Sequence, residues 1–284
     1  FAYGGLIDRR GLLAGSLKVG ARIWTLYIAH LALFLLVCGL VAAAVVRTQN
    51  PLYIETINIL PFFNDTGPAL VAALMLAYQP HYLDILPLYI VLLAAFPLIY
   101  LAARFSPVLT VACSLALWQG AVALGLNLPN EPGAGHWFFN PFAWQVPFTL
   151  GVVVGRLGLA GGSMPRLPLV DLAAAAVLIF AFVVKVSTDN PFGLALLNDV
   201  IENLQIGIDK TNLALPRVLH LLALAWLFAR FVPAGAAWLR SWPARRLAAA
   251  GRHSLEVFCV GVVLSILGQV VLTEWAFAAP AQLI

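Results

Sequence analysis

Seven long apolar segments constrain the fold of this 284-residue chain more than any other feature. A helix needs about 20 apolar residues to cross the hydrocarbon core of a bilayer, whereas isolated strands would leave backbone groups unpaired in lipid. The sequence therefore predicts an all-α fold, a polytopic transmembrane helix bundle of about seven spans. The predicted spans are Ile23–Val46, Ile85–Ala103, Pro107–Leu126, Pro141–Gly155, Leu167–Val184, Pro216–Phe231 and Leu255–Thr273.

The composition excludes an ordinary soluble domain. Hydrophobic residues make up 62% of the chain and charged residues only 10%, which is more apolar surface than a soluble domain of this size can bury. The sequence has no Walker loop, dinucleotide fingerprint, zinc motif or Gly-x-Ser-x-Gly elbow. Cys38, Cys113 and Cys259 lie within apolar segments at spacings that fit no metal or redox pattern. We expect them to be packing residues and expect no bound metal.

The basic residues predict how the spans are oriented. Twelve of the sixteen Lys and Arg residues fall on one side when the seven spans alternate in direction, and the positive-inside rule makes that side cytoplasmic. The net charge of +4 then reflects orientation, so nucleic-acid binding is not needed to explain it. The twelve are Arg9, Arg10, Lys18, Arg22, Arg104, Arg156, Arg166, Arg230, Arg240, Arg245, Arg246 and Arg252.

Three further segments do not fit as spans. Pro68–Tyr78 is too short, and we interpret it as a re-entrant or interfacial helix on the outer side. Trp238–Ala250 is typical of an amphipathic helix on the inner surface, although a plain basic loop is the alternative. Phe1–Gly4 resembles the tail of an earlier apolar segment. We therefore expect residues 1–284 to be one membrane domain, truncated in front and also behind.

Polar residues near the inner side are the first candidates for function. His30 lies eight residues after Arg22, so both occupy roughly one helix face. His30 is either hydrogen-bonded to a neighbouring helix or a proton-handling or acyl-donor site. In Arg252-His253-Ser254-Leu255-Glu256, Ser254 and Glu256 can cap a helix start, or the charged residues can hold an anionic group together with Arg22.

The outer side is richer in candidates. Asp84 is either a helix cap or the partner of His81 in an acid–base pair. The aromatic residues of the next outer loop either mark the membrane interface or form a sugar-binding cleft with neighbouring amides. The candidate substrate-binding residues are Trp137, Asn140, Trp144 and Gln145, followed by Lys210, Asn212, Arg217 and His220.

Four of these segments, taken in order, resemble the OpgC family of bacterial inner-membrane proteins, which is linked to succinylation of osmoregulated periplasmic glucans. The segments are His81–Val91, Trp137–Gln145, Lys210–His220 and His253–Phe258. The resemblance implies a multi-pass transmembrane acyltransferase with a cytoplasmic acyl-CoA donor, succinyl-CoA in particular, and a periplasmic glucan or polysaccharide acceptor. It implies membrane lipid as the surroundings and no nucleic acid as a partner.

The resemblance also bears on the catalytic residues. Related acyltransferases carry an essential histidine on their first helix, which we expect to precede Phe1, so that histidine is not assigned to any residue here. Within the chain, His81 and Asp84 are the catalytic candidates. Arg22, His30, Arg252, His253 and Glu256 are the candidates for binding the acyl donor.

Two other function classes are compatible with the sequence. A transporter of a glycan or small anion would also place polar residues near both faces, but transporters often show paired broken helices, and only one short helix is predicted here. A scaffold without activity is the other class. Binding of a CoA analogue would separate an enzyme from both.

Overall fold

The computed structural model describes residues 2–132, 135–160, 165, 167–188, 209–233 and 235–274. These residues form helices and no β-strand, so the predicted all-α class is confirmed. The helices are α1 (Ala2–Arg10), α2 (Leu12–Thr48), α3 (Leu52–Thr56), α4 (Leu60–Asn64), α5 (Thr66–Leu74), α6 (Ile85–Phe105), α7 (Pro107–Leu124), α8 (Pro141–Leu159), α9 (Pro168–Thr188), α10 (Leu215–Phe231), α11 (Trp242–Arg252) and α12 (Ser254–Glu274), with a short 3₁₀ turn at Ala237–Arg240.

Every predicted span corresponds to a helix, and within the described residues six helices are long and apolar enough to cross a membrane. These six are α2, α6, α7, α8, α9 and α12. The predicted span Pro216–Phe231 forms α10, which has 17 residues and is shorter than the other six. The helix predicted at Pro68–Tyr78 is confirmed as α5, which runs from Thr66 to Leu74, and its placement on the outer side stays a prediction. The helical alternative for Trp238–Ala250 is confirmed by α11 and the preceding turn.

The first predicted span is part of a much longer helix. Helix α2 has 37 residues and begins eleven residues before Ile23, so Lys18 and Arg22 lie inside the helix and not in a preceding loop. Arginine and lysine are good helix formers, but a search for uncharged apolar stretches leaves out the helical turns that contain them. The predicted span therefore covers only the uncharged part of α2.

The described chain divides into two compact units, one formed by residues 1–156 and 246–284 and the other by residues 157–245. In the first unit, α2 packs against α1, α6 and α12. Its buried face runs from Gly15 through Leu26 and Phe34 to Val41 at helical spacing. In the same unit, a hydrogen bond joins the C-terminal ends of α8 and α6, which both carry arginine. Arg156 Nη1 on α8 donates this bond of 2.9 Å to the carbonyl oxygen of Ala103 on α6, one residue before Arg104.

The second unit is organised around Asp171 on α9. The indole N–H of Trp226 on α10 donates a 2.8 Å hydrogen bond to one carboxylate oxygen of Asp171. Arg230, one turn later on α10, forms an ion pair with the other oxygen at 3.4 Å. A carboxylate in an apolar helix pair needs such partners, because an unpaired buried charge is expensive. The pair fixes the register of the two helices.

Close packing of α1 on α2 requires glycine at position 15. A Cβ atom at Gly15 would overlap Ile7 Cγ1 and lie 3.4 Å from the Cα atom of Ile7. At Gly20, on the same helix, an added Cβ meets nothing within 4 Å. Gly15→Ala should therefore lower the free energy of unfolding by about 1–3 kcal/mol through overpacking. Gly20→Ala should raise it by about 0.5–1 kcal/mol, as expected for an exposed helical glycine. Thermal unfolding in detergent measures both, and equal effects would contradict this account of the α1–α2 contact.

The cysteine predictions are only partly confirmed. Cys38 is buried in the core of the first unit and Cys259 is half-buried. Cys113 is exposed on α7, so the packing role predicted for it is wrong. Apolar composition alone does not distinguish a helix face that packs against protein from one that faces lipid.

Candidate functional site

A cavity of about 580 Å³ opens in the first unit beside the segment that joins α5 to α6. This volume lies within the range of typical small-molecule sites. His81, Tyr82 and Asp84 form its polar wall, which continues into Ile85 at the start of α6. Phe138 and Phe139 form an aromatic wall, and α12 closes the cavity with Phe258, Gly261, Val262 and Ser265.

His81 is held in one ring tautomer by the backbone of α3. Its Nδ1 atom lies 2.9 Å from the carbonyl oxygen of Thr56, and its backbone N–H donates a 2.9 Å hydrogen bond to the carbonyl oxygen of Ile57. A carbonyl oxygen can only accept, so Nδ1 must carry the proton. In the neutral ring Nε2 is then the acceptor, which is the arrangement that a general base requires.

Asp84 provides an acidic group in the same wall. It occupies the residue before α6, but its side chain makes no capping hydrogen bond, so the predicted capping role is wrong. Burial raises the pKa of Asp84, and the backbone amides of Asp84 and Ile85 and the nearby His81 offset only part of this rise. The structure thus brings the predicted pair of His81 and Asp84 together in one cavity wall.

The aromatic wall differs from the predicted one. Phe138 and Phe139 line the cavity, with ring centroids 4.8 Å apart in an edge-to-face arrangement. Trp144 packs behind Phe139 at 4.9 Å, and Trp137 is buried with its backbone N–H bonded to Leu128. The two predicted tryptophans therefore support the wall, and the two phenylalanines between them form it. Sequence reasoning favoured the tryptophans because flat rings beside amide groups suit a sugar.

Asn140 and Gln145 hold helices in place. Asn140 is fully buried, donates to the carbonyl oxygen of Leu126 at 2.7 Å and accepts from the backbone N–H of Phe142 at 3.0 Å, which caps α8. Gln145 accepts from the Ser114 hydroxyl at 2.6 Å and donates to the Ser114 carbonyl oxygen at 2.8 Å, which joins α8 to α7. Neither residue is part of the cavity lining, so their role as sugar ligands stays a prediction.

Asn130 links two walls of the cavity, and the sequence analysis missed it. Its Oδ1 atom accepts from the backbone N–H of Gln79 at 2.9 Å, and its Nδ2 atom donates to the Gln79 carbonyl oxygen at 3.3 Å. Both residues are buried. The Asn130 amide thus fixes the backbone segment that leads to His81. The loop that carries Asn130 continues along the chain to Phe138. The only signal in the sequence was an asparagine in a Pro-rich loop, which is common in turns.

Removing the Asn130 amide should destabilise this unit. Asn130→Leu leaves the N–H and the carbonyl oxygen of Gln79 buried without partners, at a cost of about 1–3 kcal/mol for each group. We expect a clearly lower thermal unfolding midpoint than for wild type. Asn64→Leu at an exposed position is the matched control and should leave the midpoint nearly unchanged. Equal midpoints for the two variants would show that the Asn130 bonds contribute nothing.

The candidates for binding the acyl donor differ in burial and in their contacts. His30 is fully buried, and neither of its ring nitrogens has a hydrogen-bond partner among the described residues, so the predicted hydrogen bond to a neighbouring helix is wrong. Arg22 is half-buried, whereas Arg252 and His253 are exposed. His253 and Glu256 lie 3.8 Å apart at the start of α12. Ser254 is the first residue of α12, so His253 occupies the cap position predicted for Ser254.

The remaining predicted substrate residues belong to the second unit. Asp209 organises the turn before α10, because its carboxylate accepts from the backbone N–H groups of Thr211 and Asn212 at 2.8 and 3.1 Å. Lys210 lies in this turn. Arg217 is half-buried and His220 is exposed on α10. Among the described residues, no group of three His, Cys, Asp or Glu side chains is placed to hold a metal ion.

Comparison with known proteins gives one match. The family model described as OpgC protein matches residues 1–284, the whole chain. No significant match was found among curated proteins or solved structures.

Proposed function

Because the chain belongs to the OpgC family, which indicates a membrane acyltransferase for periplasmic glucans, we propose that it transfers a succinyl group from succinyl-CoA to a glucan hydroxyl. The observation that carries this proposal is the cavity in which His81 and Asp84 face two phenylalanine rings. Flat aromatic rings suit the apolar faces of sugar rings, and the histidine supplies the base that a hydroxyl nucleophile needs.

His81 is the proposed general base toward the sugar hydroxyl, because its Nδ1 is bonded to the Thr56 carbonyl oxygen and Nε2 is left to accept a proton. In the proposed reaction, Nε2 takes the hydroxyl proton as the oxygen attacks the thioester carbonyl carbon. The carbon–oxygen bond forms, the carbon–sulfur bond breaks, and the proton passes from Nε2 to the departing CoA thiolate. The carbonyl oxygen of Thr56 accepts from Nδ1 throughout, and the Asp84 carboxylate stabilises the positive charge that the imidazole gains.

The acyl donor is proposed to enter from the cytoplasmic side of a bacterial inner membrane. Arg22 and the Arg252–Glu256 segment would bind its phosphates, since guanidinium groups form strong charge-assisted hydrogen bonds with phosphate oxygens. The exposed positions of Arg252 and His253 at the start of α12 are compatible with contact to a large water-soluble cofactor.

Transfer of label tests the proposal directly. The full-length protein, with any residues that precede Phe1 or follow Ile284, is reconstituted in liposomes with succinyl-CoA labelled in the succinyl group and with periplasmic glucan. Ester-linked label on the glucan is the expected result. Transfer of label from acetyl-CoA but not from succinyl-CoA would identify the transferred group as acetyl and contradict the succinyl assignment. No transfer from either donor, together with uptake of glucan into the liposomes, would favour a transporter.

A further inference from the structure

Tyr82 lies in the polar wall of the cavity, in a backbone conformation that tyrosine rarely adopts. Its φ angle is +71°, whereas the φ angle of His81 before it is not positive. The backbone N–H of Leu83 donates a 3.1 Å hydrogen bond to the carbonyl oxygen of Pro80, which closes a four-residue turn. A positive φ at the third position alone is characteristic of a type II turn, which favours glycine or asparagine there. Tyrosine at this position is therefore strained.

The other positive φ angles in the described part of the chain have local explanations. Apart from glycines, they belong to Gln49, Asn58, Leu76 and Leu213. Gln49, Asn58 and Leu76 lie within two residues of the end of a helix, where a left-handed residue commonly closes the last turn. Leu213 is buried in the turn before α10, so its side chain contributes to packing. Tyr82 follows no helix end and differs from these four residues in lining the cavity. Strain of this kind is typical of functional sites.

The chain on both sides of Tyr82 is fixed by contacts that do not involve the Tyr82 side chain. Two hydrogen bonds hold His81 at the end of α3, one from its ring to Thr56 and one from its backbone to Ile57. Leu83 is buried in the core of the first unit. Tyr82 itself is 44% exposed, and its hydroxyl has no hydrogen-bond partner among the described residues. Packing of the ring therefore does not account for a tyrosine at this position.

The groups that Tyr82 presents suit a sugar. A sugar ring has apolar faces that pack against aromatic rings, and hydroxyl groups at its edge that need hydrogen-bond partners. Tyr82 offers an exposed ring and an unpartnered hydroxyl in the same cavity as Phe138 and Phe139. A tyrosine that only marks the membrane interface would need neither a strained turn nor a cavity.

We propose that Tyr82 binds the acceptor glucan, with a sugar ring packed against its aromatic ring and a sugar hydroxyl hydrogen-bonded to its phenol. A sugar in this position lies beside His81, the preceding residue and the proposed base. This inference rests on the glucan acceptor of the proposed function and deepens it by naming a residue that binds the sugar. Glycine at position 82 would relieve the strain of the turn but would remove the contact with the sugar.

Binding of fluorescently labelled glucan to the full-length protein in nanodiscs tests the inference without any acyl transfer. Tyr82→Gly should raise the Kd for glucan about tenfold or more, because the ring and the hydroxyl are both lost. Tyr82→Phe keeps the ring, and its Kd should stay within about threefold of wild type. Gln49→Gly is the matched control, because Gln49 is exposed, has a φ angle of +56° and lies outside the cavity lining. It should bind glucan like wild type.

Thermal unfolding separates a role in binding from a role in folding. Tyr82→Gly should unfold at or above the wild-type midpoint, since glycine adopts a positive φ without strain. Tyr82→Ala loses the same ring but keeps the strained backbone, so it should unfold below Tyr82→Gly and bind glucan equally weakly. A midpoint of Tyr82→Gly well below that of wild type would show that the ring supports the fold, and would contradict the inference.

The outcomes distinguish this inference from the proposed function. Where wild type transfers succinyl, Tyr82→Gly should raise the KM for glucan about tenfold and leave the KM for succinyl-CoA within about twofold. An unchanged Kd and KM for glucan in Tyr82→Gly would overturn the inference and leave the function intact. Equal losses in Tyr82→Phe and Tyr82→Gly would overturn the ring contact. Glucan binding that depends on Tyr82, in a protein that transfers no acyl group, would support the inference and overturn the proposed transfer.

Discussion

Replacing His81 by asparagine should lower the rate of acyl transfer by about 10²–10⁴-fold, the usual contribution of a general base. The amide nitrogen of asparagine can occupy the position of Nδ1 and keep the hydrogen bond to the Thr56 carbonyl oxygen, which is 2.9 Å long in the histidine protein. The variant lacks any group at the position of Nε2. The chemistry is therefore removed while the contact that holds the segment is retained.

Two comparisons make this result interpretable. His81→Gln places an amide near the position of Nε2 but loses the bond to Thr56, so it should be equally inactive and less stable by thermal unfolding. His136→Asn changes an exposed histidine outside the cavity lining and should transfer at the wild-type rate. Near-normal transfer by His81→Asn would remove His81 from the mechanism.

Replacing Asp84 by asparagine should change activity and stability in opposite directions. The carboxylate lines the same cavity as His81 and would stabilise the positive charge that the imidazole gains during proton transfer. Its removal should therefore lower the rate of transfer by up to about fivefold, the equivalent of about 1 kcal/mol in the barrier. Stability at neutral pH should rise, because asparagine at this position carries no charge that burial penalises.

The pH dependence of stability tests whether the buried charge of Asp84 causes this difference in stability. Burial raises the pKa of Asp84 in the folded protein, so folding favours the protonated carboxyl. The protonated carboxyl stabilises the folded protein fully below the pKa that Asp84 has in the unfolded chain. This stabilisation is lost as pH rises through the higher pKa of Asp84 in the folded protein. Unfolding midpoints of wild type and Asp84→Asn should therefore agree best at pH 4 and separate toward pH 7, with the variant higher. A gap that narrows toward pH 7 would contradict this explanation.

Much of the fold follows from the sequence because a bilayer leaves few alternatives. Each apolar segment of sufficient length must be a helix, since lipid offers the backbone no partners. Prediction failed where other forces determine the helix. Lys18 and Arg22 do not end α2, because arginine and lysine support helices wherever their side chains can reach water or headgroups. The packed Gly15 is also invisible in a single sequence, because its role depends on Ile7 of another helix.

The site was predictable in its chemistry but not in its geometry. His81 and Asp84 stood out because both are ionisable and only three residues apart, and they do share a wall. Asn140 was predicted to be a sugar ligand, yet its amide is hydrogen-bonded to the backbone of Phe142 on α8 and of Leu126. Asn130 could not be chosen from the sequence, because its role depends on hydrogen bonds to Gln79, which lies far away along the chain.

The length of α2 should make the protein responsive to the thickness of its bilayer. Its 37 residues extend for about 55 Å, whereas the hydrocarbon core measures about 30 Å. A helix of this length must tilt or project beyond the hydrocarbon core. Each ångström of mismatch between its apolar length and the thickness of the core carries a modest energetic cost. Since α2 packs against α6, whose first turn follows Asp84, we expect a change in the tilt of α2 to displace the polar wall of the cavity. Lipids with shorter or longer acyl chains should therefore change the rate of transfer without entering the cavity.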